Sequence, residues 1–222
     1  MTEQSNVVFL TSVDGELLKN ALASFQKPVV VRTLSELQSL ARPDGVLLSF
    51  GTSVIVPPAV IARFHRGAYN LHAASPDYPG RDPHHFAVYE RAVRYGATLH
   101  RMTSKVDDGP IVDVELFDVP PGIRPLQLLG LANEAAVRIL ARTGPRIARS
   151  ELLGALPGVR WGPVKRTRQD FLAMCRIDPA IPPDELERRF HAFDGEAYAN
   201  LYVEIHGRRF RLETSRESTT SE

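Results

Sequence analysis

Cysteine is nearly missing from this sequence. Cys175 stands alone, so the chain cannot close an internal disulfide, and a reducing compartment is the simple reading. Neither sign of charge is in excess. Lys and Arg number 27 against 26 Asp and Glu, a formal net charge of +1, which gives no case for holding nucleic acid through bulk charge. Long apolar runs are missing too: no stretch approaches the roughly 20 residues needed to cross a bilayer. The start, MTEQSNVVFL, has no basic opening, and its apolar run is too short for a secretion signal. No GxGxxG and no GxxxxGK[ST] follows an apolar segment, which leaves dinucleotide and P-loop readings without a motif. Internal repeats and low-complexity blocks are absent as well. These absences leave a soluble, cytoplasmic protein as the default, with neither nucleic acid nor membrane among its partners.

What is present suffices for a core. With 222 residues, 43% hydrophobic and 24% charged, the chain suits one domain of ordinary size plus a small appendage. Val7–Leu10, Pro28–Val31 and Gly45–Phe50 are short apolar runs that read as buried strands, and helical patterns at Leu17–Phe25 and Leu34–Leu40 separate them. That alternation predicts an α/β fold with a mostly parallel, Rossmann-like sheet covered on both faces. The pattern goes on to predict a helix over Ala59–His65 and a strand over Ala68–Leu71. Ser75–Pro83 is too rich in proline and glycine for helix or central strand. A helix over His84–Arg94 and strands over Ala97–Arg101 and Ile111–Phe117 follow. Pro125–Ala141 is the strongest amphipathic helix. From Gly144 to Gly162 runs a Gly/Pro-punctuated connection that carries the lone Trp161. Beyond it lie the basic segment Lys165–Arg168, a short helix or strand at Phe171–Cys175 and a helix at Pro182–Phe193. Tyr198–Ile205 and Arg208–Glu213 alternate about His206-Gly207 as a β-hairpin does. The expected organisation is a catalytic core over 1–145, a linker over 146–164, and a small C-terminal α+β extension over 165–214 that ends in the hairpin. A polar tail over 215–222 is expected to be disordered.

The chemistry gathers between Tyr69 and Val112. Asn70 and His72 fall where a strand gives way to a loop. Asp107-Asp108-Gly109-Pro110 falls before the last strand of the group. Strand ends of an open α/β sheet are where such folds hold ligands. The blocks are Asn70-Leu71-His72, then Pro76-Asp77-Tyr78-Pro79-Gly80-Arg81-Asp82-Pro83, then Gly96-Ala97-Thr98-Leu99-His100, then Asp107-Asp108-Gly109-Pro110-Ile111. In that order and spacing they resemble the 10-formyltetrahydrofolate-dependent formyltransferases, which act on glycinamide ribonucleotide, methionyl-tRNA and sugar amines. Four ordered blocks are far more specific than one short motif. One loop departs from the family: His72-Ala73-Ala74-Ser75-Pro76 is a residue shorter than the usual His-x-Ser-Leu-Leu-Pro.

The resemblance implies that Asn70, His72 and Asp107 form the catalytic set and that 10-formyltetrahydrofolate is the co-substrate, with no metal. It places the pterin against Phe50, Gly51, Thr52, Ser53, Val54 and Ile55 on one side and Ser104, Lys105, Val106 and Asp107 on the other. Ser75, Tyr78, Arg81 and His84 are substrate-binding candidates. About 60 residues follow Trp161, the length of the small extension of the sugar-amine group, and that group's extension often supports a homodimer. The expected partner is therefore a small-molecule amine, an amino sugar on a nucleoside diphosphate. Alternatives are hydroxyornithine, an aminoacyl carrier or glycinamide ribonucleotide as acceptor, hydrolysis of the folate with water as acceptor, and a folate-binding relic without turnover. Several residues keep two readings. His84-His85 contact substrate or sit exposed at a helix start, and Lys165–Arg168 meet a phosphate or form a solvated face. His100 is a packed, hydrogen-bonded group, and Cys175 belongs to the core. Five histidines lie between His65 and His100, but their spacing fits no standard zinc pattern.

Overall fold

The computed structural model describes residues 6–195 and 198–212. The expected disordered tail, 215–222, lies outside the described residues. Strands β1 (Val7–Thr11), β2 (Val29–Val31), β3 (Val46–Phe50) and β4 (Ala68–His72) pair in parallel, in the order β2-β1-β3-β4. β5 (Arg94–Arg101) adds antiparallel to β4, and β6 (Ile111–Asp118) antiparallel to β5. The result is the mostly parallel α/β sheet that the apolar runs predict.

Alternation along β4 decides what each face carries. Tyr69 and Leu71 turn to the side of helices α1 (Gly15–Leu22) and α5 (Pro125–Ala148), in a buried cluster with Phe9, Leu48, Leu99 and Ile139. Ala68, Asn70 and His72 turn the other way. Low on that face Ala68 packs with Val8, Leu10 and Leu47 against Leu37 of α2 (Leu34–Leu40) and Val60 of α3 (Pro58–Ile61). One step along the strands the same face turns polar. Ser49, Asn70 and His100 are register partners across β3, β4 and β5. Thr33 caps α2 with a capping box to Glu36, which fixes where β2 ends and the helix begins.

Several boundaries differ from the pattern reading. Helix α4 (Pro83–Tyr89) ends at Glu90 instead of reaching Arg94, because Arg91 adopts a left-handed φ of 56°. β5 accordingly starts at Arg94. Helix α5 does not stop near Ala141: it runs through Gly144 and Pro145 to Ala148. Gly144 lies so close to Ser24 that a Cβ would stand 2.6 Å from that side chain, and Ile147 beyond it is fully buried. Packing of the last turn outweighs the lost proline donor. Helix α3 is shorter than Ala59–His65 for want of a continuing ladder after Ile61.

The C-terminal part comprises α6 (Arg168–Cys175), β7 (Arg176–Ile177), α7 (Pro183–Phe193), β8 (Asp194–Gly195), β9 (Tyr198–Ala199), β10 (Tyr202–Ile205) and β11 (Arg208–Arg211). β10 and β11 form the hairpin about His206-Gly207, and β7 pairs with β10. Phe171, Cys175, Phe193 and Leu201 share one buried cluster with Phe86, Tyr95 and Leu128 of the core. Among the described residues no helix is long and apolar enough to cross a membrane.

The connection from α5 to α6 is a strap stitched to the strand ends. Leu153 donates its N–H to the buried Tyr69 hydroxyl at 2.9 Å and accepts at its carbonyl from Arg101 Nε at 3.0 Å. Leu156 N–H donates to the Ile111 carbonyl at 2.7 Å. Tyr69 is fully buried and Leu153 1% exposed, so no solvent replaces a lost partner. We expect Tyr69→Phe to leave the Leu153 N–H unpaired and to cost about 1–3 kcal/mol of unfolding free energy in urea titration. A cost near zero would show that the strap is not anchored there.

Candidate active site

β4 brings Asn70 and His72 to the sheet end on one face, two residues apart. β5, antiparallel, sets His100 directly opposite Asn70. The loop from β5 to β6 then returns Asp107 beneath both imidazoles. Asp107 holds a left-handed φ of 44°, a conformation aspartate tolerates better than most residues. Its carboxylate is 3% exposed. Oδ2 lies 3.7 Å from His72 Nδ1 and accepts the Gly80 N–H at 2.9 Å, while Oδ1 lies 3.3 Å from His100 Nε2. Gly80 is required for that approach: with φ 99°, a Cβ there would stand 2.2 Å from the Arg166 carbonyl oxygen.

Carbonyl partners fix the two imidazoles. His72 Nε2 lies 2.9 Å from the Tyr78 carbonyl, which can only accept, so Nε2 carries a proton and Nδ1 faces the carboxylate. His100 Nδ1 lies 2.9 Å from the Arg101 carbonyl and is a donor by the same logic. Its Nε2 then accepts from the Asn70 amide at 3.1 Å. One Asn70 N–H is thereby anchored and the other left to the cleft. Asp107 Oδ1 receives no hydrogen bond from the described residues. Burial alone would raise the Asp107 carboxyl, but the His72 charge, the His100 imidazole and the Gly80 N–H outweigh it and hold it well below the usual 3.8. The group is a carboxylate throughout the working pH range.

The cleft in front of these groups measures about 680 Å³. Asn70, His72, His100 and Asp107 line its floor. Gly51, Thr52, Ser53, Val54 and Ile55 form one wall and Ser104, Lys105 and Val106 the facing wall. Arg81 and His84 also line it. Phe50, fully buried in the sheet, does not, and neither do Ser75 or Tyr78. Ser75 is buried with its hydroxyl unpartnered among the described residues, and Tyr78 presents its carbonyl to His72 rather than its phenol to the cleft. The His84-His85 pair is not an exposed helix start. Both are buried, and His85 Nδ1 lies 2.6 Å from the Ala192 carbonyl of α7. Lys165, Arg166 and Thr167 of the basic segment reach the cleft rim, so they are not only a solvated face. Cys175 is core, 1% exposed, and burial pushes its thiol up to about 11.

Leu129 and Asn133 of α5 also line the cleft: the helical pattern reads Leu129 as core, whereas it is half-buried at the cleft, and the pattern does not single out Asn133. The available signal was a polar Asn133 one turn after Leu129, at the border of the apolar face of α5. Among the described residues no group of three or more His, Cys, Asp or Glu side chains is placed to hold a metal.

A family model described as formyl transferase matches residues 18–138, which hold Asn70, His72, His100 and Asp107. The chain belongs to the formyl transferase family. Among curated relatives, methionyl-tRNA formyltransferase from Chloroflexus aurantiacus is 29% identical over 178 residues, covering 77% of this chain and 53% of that protein. The chain thus spans about half the length of that relative. A 4-N formyltransferase from Francisella tularensis superposes with a TM-score of 0.75 at 16% identity, covering 94% of this chain and 96% of that one. An N-formyltransferase from Helicobacter canadensis, solved with folinic acid and dTDP-3-aminofucose, superposes with a TM-score of 0.68 at 16% identity, covering 92% and 85%. At such identities the likeness is one of fold. This member of the formyl transferase family carries that fold with the short extension included.

His84 gives the site a pH signature. Burial first, then the neighbouring charges of His85 and His72, pull its imidazole down from 6.5 to about 3. Below pH 6.5 the unfolded chain takes up a proton there and the folded chain does not, so stability falls as pH drops from 6.5 toward 3. By pH 5 that amounts to about 2 kcal/mol. We expect His84→Gln to lose less stability than the wild type between pH 7 and pH 5 in urea titrations. Equal losses would show that His84 titrates normally.

Proposed function

We propose that this protein transfers a formyl group from 10-formyltetrahydrofolate to a primary amine. The observation that carries this reading is the buried Asp107 carboxylate, held between His72 and His100 and beside Asn70 at the floor of the cleft. Amine formylation needs a proton acceptor for the attacking nitrogen and donors for the oxygen that gains charge. The free N–H of Asn70 suits the developing oxyanion, a donor typically worth about 3 kcal/mol in such a site. His72, its Nδ1 beside the carboxylate, can hold a proton and return it. Asp107, held ionised, orients His72 and stabilises its charge when the imidazole carries the amine proton. When bound, the folate supplies only the activated formyl carbon. Val54, Ile55, Met102 and Val106 offer apolar surface for a flat heteroaromatic ring. Ile55 and Val106 are 66% and 49% exposed, which a bound ring would reduce.

For the acceptor we infer an amino sugar on a nucleoside diphosphate. The family match, the length shared with the Francisella tularensis protein and the basic rim of Arg81, Lys165 and Arg166 support this. We also infer residues 1–145 as the catalytic core and 165–214 as an extension, joined by 146–164. Asn70→Ala, His72→Ala and Asp107→Ala should each lower turnover by about 10²–10⁴ while folate binding is kept. The check is absorbance assay of 10-formyltetrahydrofolate with a panel of amines, an amine-free control and calorimetry for binding. Near-normal turnover in any variant removes that residue from the set. Conversion in the control alone would replace transfer by hydrolysis.

A homodimer through the hairpin is the second part of the reading. Ile205 and Phe210 are 50% and 53% exposed there. The double substitution Ile205→Ser with Phe210→Ser should halve the mass in solution measured by light scattering. An unchanged mass would remove the idea.

A further inference from the structure

Trp161 lies outside the cleft wall, yet it touches the groups that form the floor. Its indole stands edge-on to His100, with ring centroids 4.9 Å apart at 87°, and to His72, 5.9 Å apart at 68°. Its Nε1–H donates to the Gly109 carbonyl at 2.8 Å, two residues from Asp107. One side chain thus contacts both imidazoles and the loop that carries the carboxylate. The strap around it is pinned on both sides. Gly162 N–H donates to the Pro76 carbonyl at 2.9 Å, on the turn that follows His72. Four residues further, Arg166 N–H donates to the Pro79 carbonyl at 3.1 Å, and the Arg166 carbonyl accepts from Arg81 at 2.8 Å. These bonds hold the Gly80 turn whose N–H reaches Asp107. Lys165 Nζ donates to the Val106 carbonyl. The strap therefore binds both loops that meet at the carboxylate, and the indole is the wedge between them.

We propose that Trp161 is a positioning residue for formyl transfer: it fixes the orientations of His72 and His100 about Asp107 without touching the reactants. This rests on the reaction proposed above. Edge-to-face packing restricts ring rotation, and rigid support of a reactive group matters because a misplacement of about 1 Å can cost about 10²-fold in rate. The imidazoles have polar partners on their other edges, so removing the indole loosens them without removing a hydrogen bond from either.

The test uses the full chain, with two independent readouts. The first needs no activity. Trp161 is the lone tryptophan, and its emission responds to the groups packed against the indole. His72→Gln and His100→Gln should each alter the emission, whereas His206→Gln, on the exposed hairpin turn, should not. Emission blind to both site histidines overturns the placement. The second readout is steady-state kinetics on an amine that the wild type formylates. Trp161→Leu should lower kcat by about 10²-fold with the folate KM changed less than about threefold. Trp161→Phe, which keeps the edge packing, should restore kcat to within about tenfold. A Trp161→Leu enzyme with kcat near the wild type overturns the proposal, as does a Phe variant no better than Leu. If the wild type formylates no amine, the reaction itself falls, and the emission result stands apart from that failure.

Discussion

One buried carboxylate ties the molecule together. Asp107 is reached from β4 by His72, from β5 by His100 and from the intervening turn by the Gly80 N–H. Remove any of these and a charge is left in a site that solvent barely enters. Breaking a buried pair in that way commonly costs about 3–5 kcal/mol. The same interaction that closes the loops therefore sets the geometry of the cleft floor. Fold and site are not separable here, because Asp107 anchors the β5–β6 loop and also holds the two imidazoles of the cleft.

The sheet supplies the second half of the constraint. A wholly parallel sheet would bring only strand starts or strand ends to one rim. The antiparallel β5 places the end of one strand beside the start of another, and the register sets His100 opposite Asn70. A slip of β5 by one residue would turn His100 away from Asn70 and into the apolar cluster beneath α5. That cluster, from Phe9 through Leu71 and Leu99 to Ile139, is what forbids the slip. The bulge between Leu99 and His100 in the pairing with β6 re-aims the strand just where the loop to Asp107 departs, as bulges beside functional sites do.

What could be read from the sequence was local. The apolar runs that became β1, β2 and β3 announce a covered parallel sheet, and in β1 and β3 burial on both faces leaves no alternation. Asn70, His72 and Asp107 were legible because four short blocks keep their order. The rest depends on contacts that no window contains. Helix α5 passes Gly144 and Pro145 because Ser24 lies against the glycine, and that neighbour is remote in sequence. His84-His85 are buried because Ala192 and Phe193 of α7 lie against His85, with ring centroids of His85 and Phe193 5.7 Å apart. The linker read as punctuation is a strap because Leu153 meets Tyr69 across 84 residues and Trp161 meets Gly109 across 52. Glycine and proline mark where such a segment turns. They do not say what it turns toward.

Stability alone does not explain this arrangement. A left-handed aspartate, a carboxyl oxygen without a donor, an unpartnered Ser75 hydroxyl and a neutral buried His84 all lie within a few residues of one cleft. Each works against folding, and a core built for stability alone would replace the Asp107 cluster by apolar side chains at no loss. Elsewhere local rules agree, as the capping boxes at Thr33 and Thr167 illustrate. When conflicts gather in one place while the remainder is consistent, the inference runs from strain to use. That inference disfavours a folate-binding relic. A relic needs the apolar walls of Val54, Ile55 and Val106, but nothing in binding a flat ring requires a buried carboxylate held ionised beneath two imidazoles.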